Sequence, residues 1–143
     1  MILKSFDKLR NYGLLIFRIG IGTMYMIHGM PKILGGPEMW EQLGQAIGFL
    51  GIDFFPAFWG FMAALSETIG GFFLLIGFMY RPACGFIFIT MFVAATMHLG
   101  NGDGFIRASH AIENGIVIFS MIFIGPGRIS IDEKFKKNTS NAG

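Results

Sequence analysis

Four apolar runs, Tyr12–Gly29, Ala57–Met79, Pro82–His98 and Ser109–Ile124, dominate this chain, and each carries polar groups that hydrocarbon does not accept alone. At about 1.5 Å rise per residue, roughly 20 helical residues cover a bilayer core, so all four read as transmembrane helices, the last two short. A soluble domain of 143 residues, 53% hydrophobic and 14% charged, would leave large apolar patches on its surface. The expected fold is all-α: a polytopic membrane protein with a four-transmembrane-helix bundle. A single membrane domain covers residues 1–133, and a polar C-terminal tail follows at 134–143.

Charge placement orients the bundle. Lys4, Lys8 and Arg10 precede the first run, Arg81 separates the second from the third, and Arg128, Lys134, Lys136 and Lys137 follow the fourth. The other two connections hold only Lys32 and Arg107. The positive-inside rule then puts both termini in the cytoplasm and the His98–Asn114 loop on the far side. Arg18 interrupts the first run and no small-residue cleavage site follows, so the run reads as a span and not a signal peptide. The one cysteine, Cys84, excludes an internal disulfide, a Cys-x-x-Cys dithiol and a cysteine-based zinc site. No basic face with interleaved aromatics points to nucleic acid.

Pro31 disfavours a helical residue before it, which ends the first helix near Met30. Between Gly35-Gly36-Pro37 and Asp53-Phe54-Phe55-Pro56, Met39, Leu43, Ile47 and Leu50 recur at helical spacing opposite Glu41, Gln42 and Gln45. This predicts a short amphipathic interfacial helix between helices 1 and 2, anchored by Trp40 and serving either as a lid or as a plain connector. Gly125-Pro126-Gly127 stops the last helix, and the tail after Asp132 reads as loose.

The polar residues fall into stripes. Arg18, Gly22, Tyr25, His28 and Gly29 share one face of the first run, and Gly60, Ala63, Ala64, Glu67, Gly70 and Gly71 one of the second. Thr90, Ala94 and His98 align on the third, and His110, Glu113 and Asn114 on the fourth. Counted from the expected helix ends, His28, His98 and Glu113 all lie about 24 Å above the cytoplasmic edge. Arg18 and Glu67 fall within about 5 Å of each other in height. An intramembrane ionisable residue costs about 2.5–3.5 kcal/mol, so such groups persist when paired or used. Arg18 and Glu67 read as a structural ion pair, or as a pair that delivers protons.

His28, His98, His110 and Glu113 either hydrogen-bond near the headgroups or form a proton-exchanging pocket that opens outward. A quinone head group suits such a pocket, since it has two carbonyl oxygens and takes up two protons on reduction. A metal held by His98, His110 and Glu113 is chemically allowed, but the His-x-x-Glu spacing is weak, and no metal is assigned. Nothing looks like a haem, flavin or iron–sulfur site.

At three places the sequence resembles the DoxX family of membrane proteins. His28-Gly29-Met30-Pro31-Lys32 is similar to its H-G-x-x-K element, and Glu67-Thr68-Ile69-Gly70-Gly71, with Gly77 and Arg81, to its E-x-x-G-G pattern. Gly125-Pro126-Gly127-Arg128-Ile129-Ser130-Ile131-Asp132 resembles its G-P-G-x-x-S-[IL]-D ending. The resemblance, over about residues 10–133, implies a four-helix bacterial inner-membrane protein, with His28, Lys32 and Glu67 as the matching site residues. Some such proteins are subunits of quinone-reducing oxidoreductases named for thiosulfate oxidation. Distant four-helix relatives that handle dithiols use cysteine pairs, which this chain lacks.

The reading that follows is a subunit of a quinone-linked oxidoreductase, with electrons supplied by a soluble or membrane redox partner. His28, Lys32, His98, His110 and Asn114 would bind the head group, with Glu67, Glu113 and His98 handling protons. The alternatives are a non-catalytic assembly protein that holds a lipid-like ligand or partner subunit, and a small transporter working as a homo-oligomer.

Overall fold

The computed structural model describes residues 2–140, with side chains described from residue 9 onward. The Lys4 and Lys8 side chains and the last three tail residues lie outside the described residues. The structure is all-helical. It comprises α1 (Ile2–Leu34), α2 (Gly36–Gly44), a 3-10 segment (Gln45–Leu50), α3 (Pro56–Ile76), α4 (Tyr80–Gly100), α5 (Phe105–Ile124) and α6 (Ile131–Ser140). Among the described residues, three stretches are long and apolar enough to cross a membrane: Leu9–Leu34, Pro56–Ile76 and Tyr80–Gly100. At 20 residues α5 is nearly as long, but Arg107, His110, Glu113 and Asn114 make its first half polar.

Glycines set the packing of α1 on α3. Gly22 meets Gly71 and Leu75, Gly29 meets Thr68 and Glu67, and Arg18 lies against Gly77, so the two helices run antiparallel with no room for a Cβ between them. Close backbone approach through small residues is the usual way membrane helices associate. α4 returns alongside α3 and α5 alongside α4. Between them Tyr25, Leu74, Tyr80, Cys84, Ile87, Met91 and Ile118 form the core. The outer flanks expose Ile16, Phe58, Phe86, Ile89, Ile106 and Phe123, the surface a bundle turns toward hydrocarbon.

The end holding the α3–α4 turn and residues 125–140, here the tail end, is tied together by polar contacts. Arg18, 2% exposed, donates to the carbonyls of Pro126 (2.8 Å) and Ile129 (2.6 Å). Asp132 accepts from the Met79 and Tyr80 amides at 2.9 and 3.0 Å and so caps the start of α4. Ser130 accepts from the Glu133 amide at 3.3 Å. Ser130-Ile131-Asp132-Glu133 has the Ser-x-x-Glu spacing of a capping box, and it starts α6 where a loose tail was expected. The Gly-Pro-Gly to Asp motif is therefore a clamp joining α1, α4 and α6.

The first helix does not stop at Met30. It runs through Pro31 to Leu34, so Lys32 stays on the same helix as Arg18. A proline loses one backbone bond and crowds the carbonyl four residues back, but these costs are offset by neighbours. The Gly35 amide bonds to the Pro31 carbonyl at 2.9 Å, and the Trp40 indole to the Lys32 carbonyl at 3.0 Å. The last run also begins earlier than expected, at Phe105, which shortens the polar loop.

α2 folds back onto the start of α3 at the opposite end, here the α2 end. A Cβ on Gly60 would lie 1.7 Å from the Trp40 carbonyl oxygen, and one on Gly44 1.7 Å from that of Pro56. Gly60→Val is therefore expected to lift α2 off α3 and cost about 3 kcal/mol, the upper end of overpacking penalties. Thermal unfolding in detergent checks this. The control Gly85→Ala, whose Cβ meets open space inside α4, should be at least as stable as the parent, by up to about 1 kcal/mol of helix propensity.

Candidate functional site

α2, α3 and α4 enclose a cavity of about 620 Å³ at the α2 end, within the range of small-molecule sites. Its wall is mostly apolar, with Leu43, Ile47, Trp59, Met62, Val93 and Met97 among its residues. Phe58, Phe86 and Ile89 also line it and are each more than half exposed, so it borders the flank of the bundle. Lys32, Glu67, His98, Ser66 and Thr90 supply polar atoms.

Glu67 is the deepest of these, its side chain 4% exposed, and its Oε2 accepts from Lys32 Nζ at 2.5 Å. An ammonium carries three donors, so two remain on Lys32, which is 32% exposed. His98 holds Asp103 through Nδ1 at 2.8 Å, with Arg107 within 4.0 Å of the same carboxylate. That contact fixes the imidazole and leaves Nε2 as the free ring nitrogen. Ser66 and Thr90 bond across the α3–α4 seam at 2.6 Å, and Thr90 donates to the Phe86 carbonyl at 3.1 Å, so Ser66 is the donor of the first bond.

The expected Arg18–Glu67 pair does not form. Gly77 is level with Arg18, and Glu67 lies ten residues away along α3, about 15 Å. The depth count set Tyr12 at the cytoplasmic edge and Pro56 at the outer edge, whereas α1 runs from Ile2 to Leu34. The longer α1 slides the register, puts Glu67 beside Gly29 and brings Lys32 into reach.

The expected outward pocket is split as well. Lys32, Glu67 and His98 line one cavity, whereas His28, His110 and Glu113 are exposed on the outer faces of α1 and α5, and half-buried Asn114 bonds the His110 carbonyl at 2.8 Å. Shared height did not imply shared direction. Among the described residues no three His, Cys, Asp or Glu side chains group as a metal ion requires, and His98, His110 and Glu113 do not converge. The face carrying Thr90, Ala94 and His98 does turn into the cavity. The sequence reading missed Ser66, Trp59, Met62 and Asp103. Of these only Ser66, beside Glu67 on α3, left a visible signal.

The DoxX family model matches residues 13–99, from the first turns of the α1 span to the end of α4. This chain belongs to the DoxX family. The matched part contains every residue of the cavity and excludes all of α5. A Haemophilus influenzae protein described as uncharacterized is similar to the chain, 26% identical over 141 residues, which is 94% of this chain and 99% of its own. No solved structure matches.

Removing one member of a buried ion pair strands the other. Lys32→Met is expected to cost about 2–3 kcal/mol, less than for a fully buried pair because Lys32 is one-third exposed, and the double variant with Glu67→Met less than the sum of Lys32→Met and Glu67→Met alone. A double-mutant cycle from chemical unfolding in detergent would measure the coupling. A loss in the double variant equal to the sum of the two single losses would mean the pair is not energetically linked.

Proposed function

We propose that this DoxX-family membrane protein holds the head group of a quinone, or of a similar carbonyl-bearing amphiphile, in the cavity between α2, α3 and α4. The observation that carries the reading is a Lys32–Glu67 pair set in the wall of a mostly apolar chamber. Lys32 keeps two donors for one carbonyl oxygen, and His98 in its protonated form, with Nδ1–H on Asp103, offers Nε2–H to a second. The apolar wall suits a ring, and the flank at Phe58, Phe86 and Ile89 gives a hydrophobic ligand an entry route from the bilayer. α2 acts as the cover.

A bound quinone would supply the redox chemistry, accepting two electrons from a separate partner protein. This chain would orient the head group through Lys32 and His98, exclude water with α2, and donate protons from Lys32 and His98. Glu67 holds the negative charge that keeps Lys32 in place, and Lys32, one-third exposed, takes its proton back from solvent. In this reading α5 is the fourth span, the protein sits in the bacterial inner membrane, and Arg81 and Arg128 at the tail end put both termini in the cytoplasm.

Mass spectrometry of lipids that co-purify with the wild type tests the ligand. The expected result is bound quinone that is lost in Glu67→Gln and His98→Ala and retained in Glu113→Gln and His110→Ala. Phospholipid alone in the wild type, unchanged by the cavity substitutions, would favour a lipid-holding assembly protein instead.

A further inference from the structure

One face of α5 is unexplained by the cavity. Ile106, His110, Glu113, Val117, Ser120 and Ile124 follow one another at spacings of four and three, the a and d positions of a heptad, and all six are exposed. The helix packs on α4 with its other side, through Ala108, Ala111, Gly115 and Ile118. His110 and Glu113 therefore point away from the chain, and neither side chain has a hydrogen-bond or ion-pair partner among the described residues.

The level of this face makes its exposure costly. Gly115 faces Met91 and Phe88, so Glu113 lies near residue 93 of α4. The Ser66–Thr90 bond aligns α3 with α4 and puts Trp59 near residue 97. Glu113 is thus about 6 Å further into the bundle than Trp59, the level tryptophans favour at a membrane surface. A carboxylate facing hydrocarbon there calls for a cation from outside the chain.

We propose that α5 is a homodimer interface, in which a second copy of this chain packs its α5 in parallel against the first about a two-fold axis along the membrane normal. In a parallel 3-4 seam a d-position side chain enters the space between a, d, e and the next a of its partner. Glu113 then sits beside the partner's His110 and, across the axis, the partner's Glu113, so that the two imidazoles flank the two carboxylates. The two pairs close on each other, so the interface is self-complementary and stops at two copies. Val117, Ser120 and Ile124 continue the contact toward the tail end. The inference is independent of the ligand reading, since α5 contributes nothing to the cavity.

Cysteine cross-linking in native membranes tests it. Val117→Cys and Ser120→Cys are expected to give a covalent dimer on mild oxidation, and Phe92→Cys, exposed on α4, to give none. Glu113→Lys should lose the Val117→Cys product, and the swapped pair His110→Glu with Glu113→His should restore it. Native mass spectrometry of the unsubstituted protein, which needs no variant to fold, should give a two-copy mass. A one-copy mass with no cross-link at Val117 or Ser120, or a cross-link there only to a different protein, would overturn the proposal.

Discussion

A carboxylate carried into the middle of an apolar bundle has to meet a cation, and much of the α2 end is arranged so that Glu67 meets Lys32. Lys32 reaches it only because α1 continues past Pro31 and because Gly29 lets α1 lie directly on Thr68 and Glu67. α2 secures the same stretch by bonding Trp40 to the Lys32 carbonyl, and Gly44 and Gly60 allow α2 to lie flat on α3.

The tail end solves a different problem with the opposite charge. Arg18 is more deeply buried than Lys32, yet it bonds carbonyl oxygens of the segment after α5 and not a carboxylate. Its planar fork suits two acceptors at once, and those carbonyls belong to a turn whose helix-terminal groups need donors. Asp132 serves the facing need, the free amides at the start of α4. One end of the bundle is thus a closed clamp, while the other surrounds a chamber.

This division sorts the three family-like motifs by task. The Gly-Pro-Gly to Asp segment belongs to the clamp. The Gly29, Lys32 and Glu67 elements belong to the chamber wall. His28 follows neither, since it faces outward one residue before the glycine that defines the contact. Polarity on α5 also faces outward, which divides the helix into an inner side of small residues and an outer side of ionisable ones.

The sequence by itself determined that the chain is helical and membrane-embedded, because runs of that length and composition have no other stable form in contact with lipid. It also determined which faces carry small residues: the Gly22–Gly29 and Gly60–Gly71 stripes are contact faces because only they allow close approach. The Ser-x-x-Glu signal for α6 was legible too, though a polar tail masked it. Only the tertiary structure decided which charges meet. Periodicity fixes the direction of a side chain around its own helix, but partner choice depends on the axial register between helices and on their rotation. A few extra residues of α1 beyond Pro31 exchanged Arg18 for Lys32, and the rotation of α5 sent His110 and Glu113 away from His98.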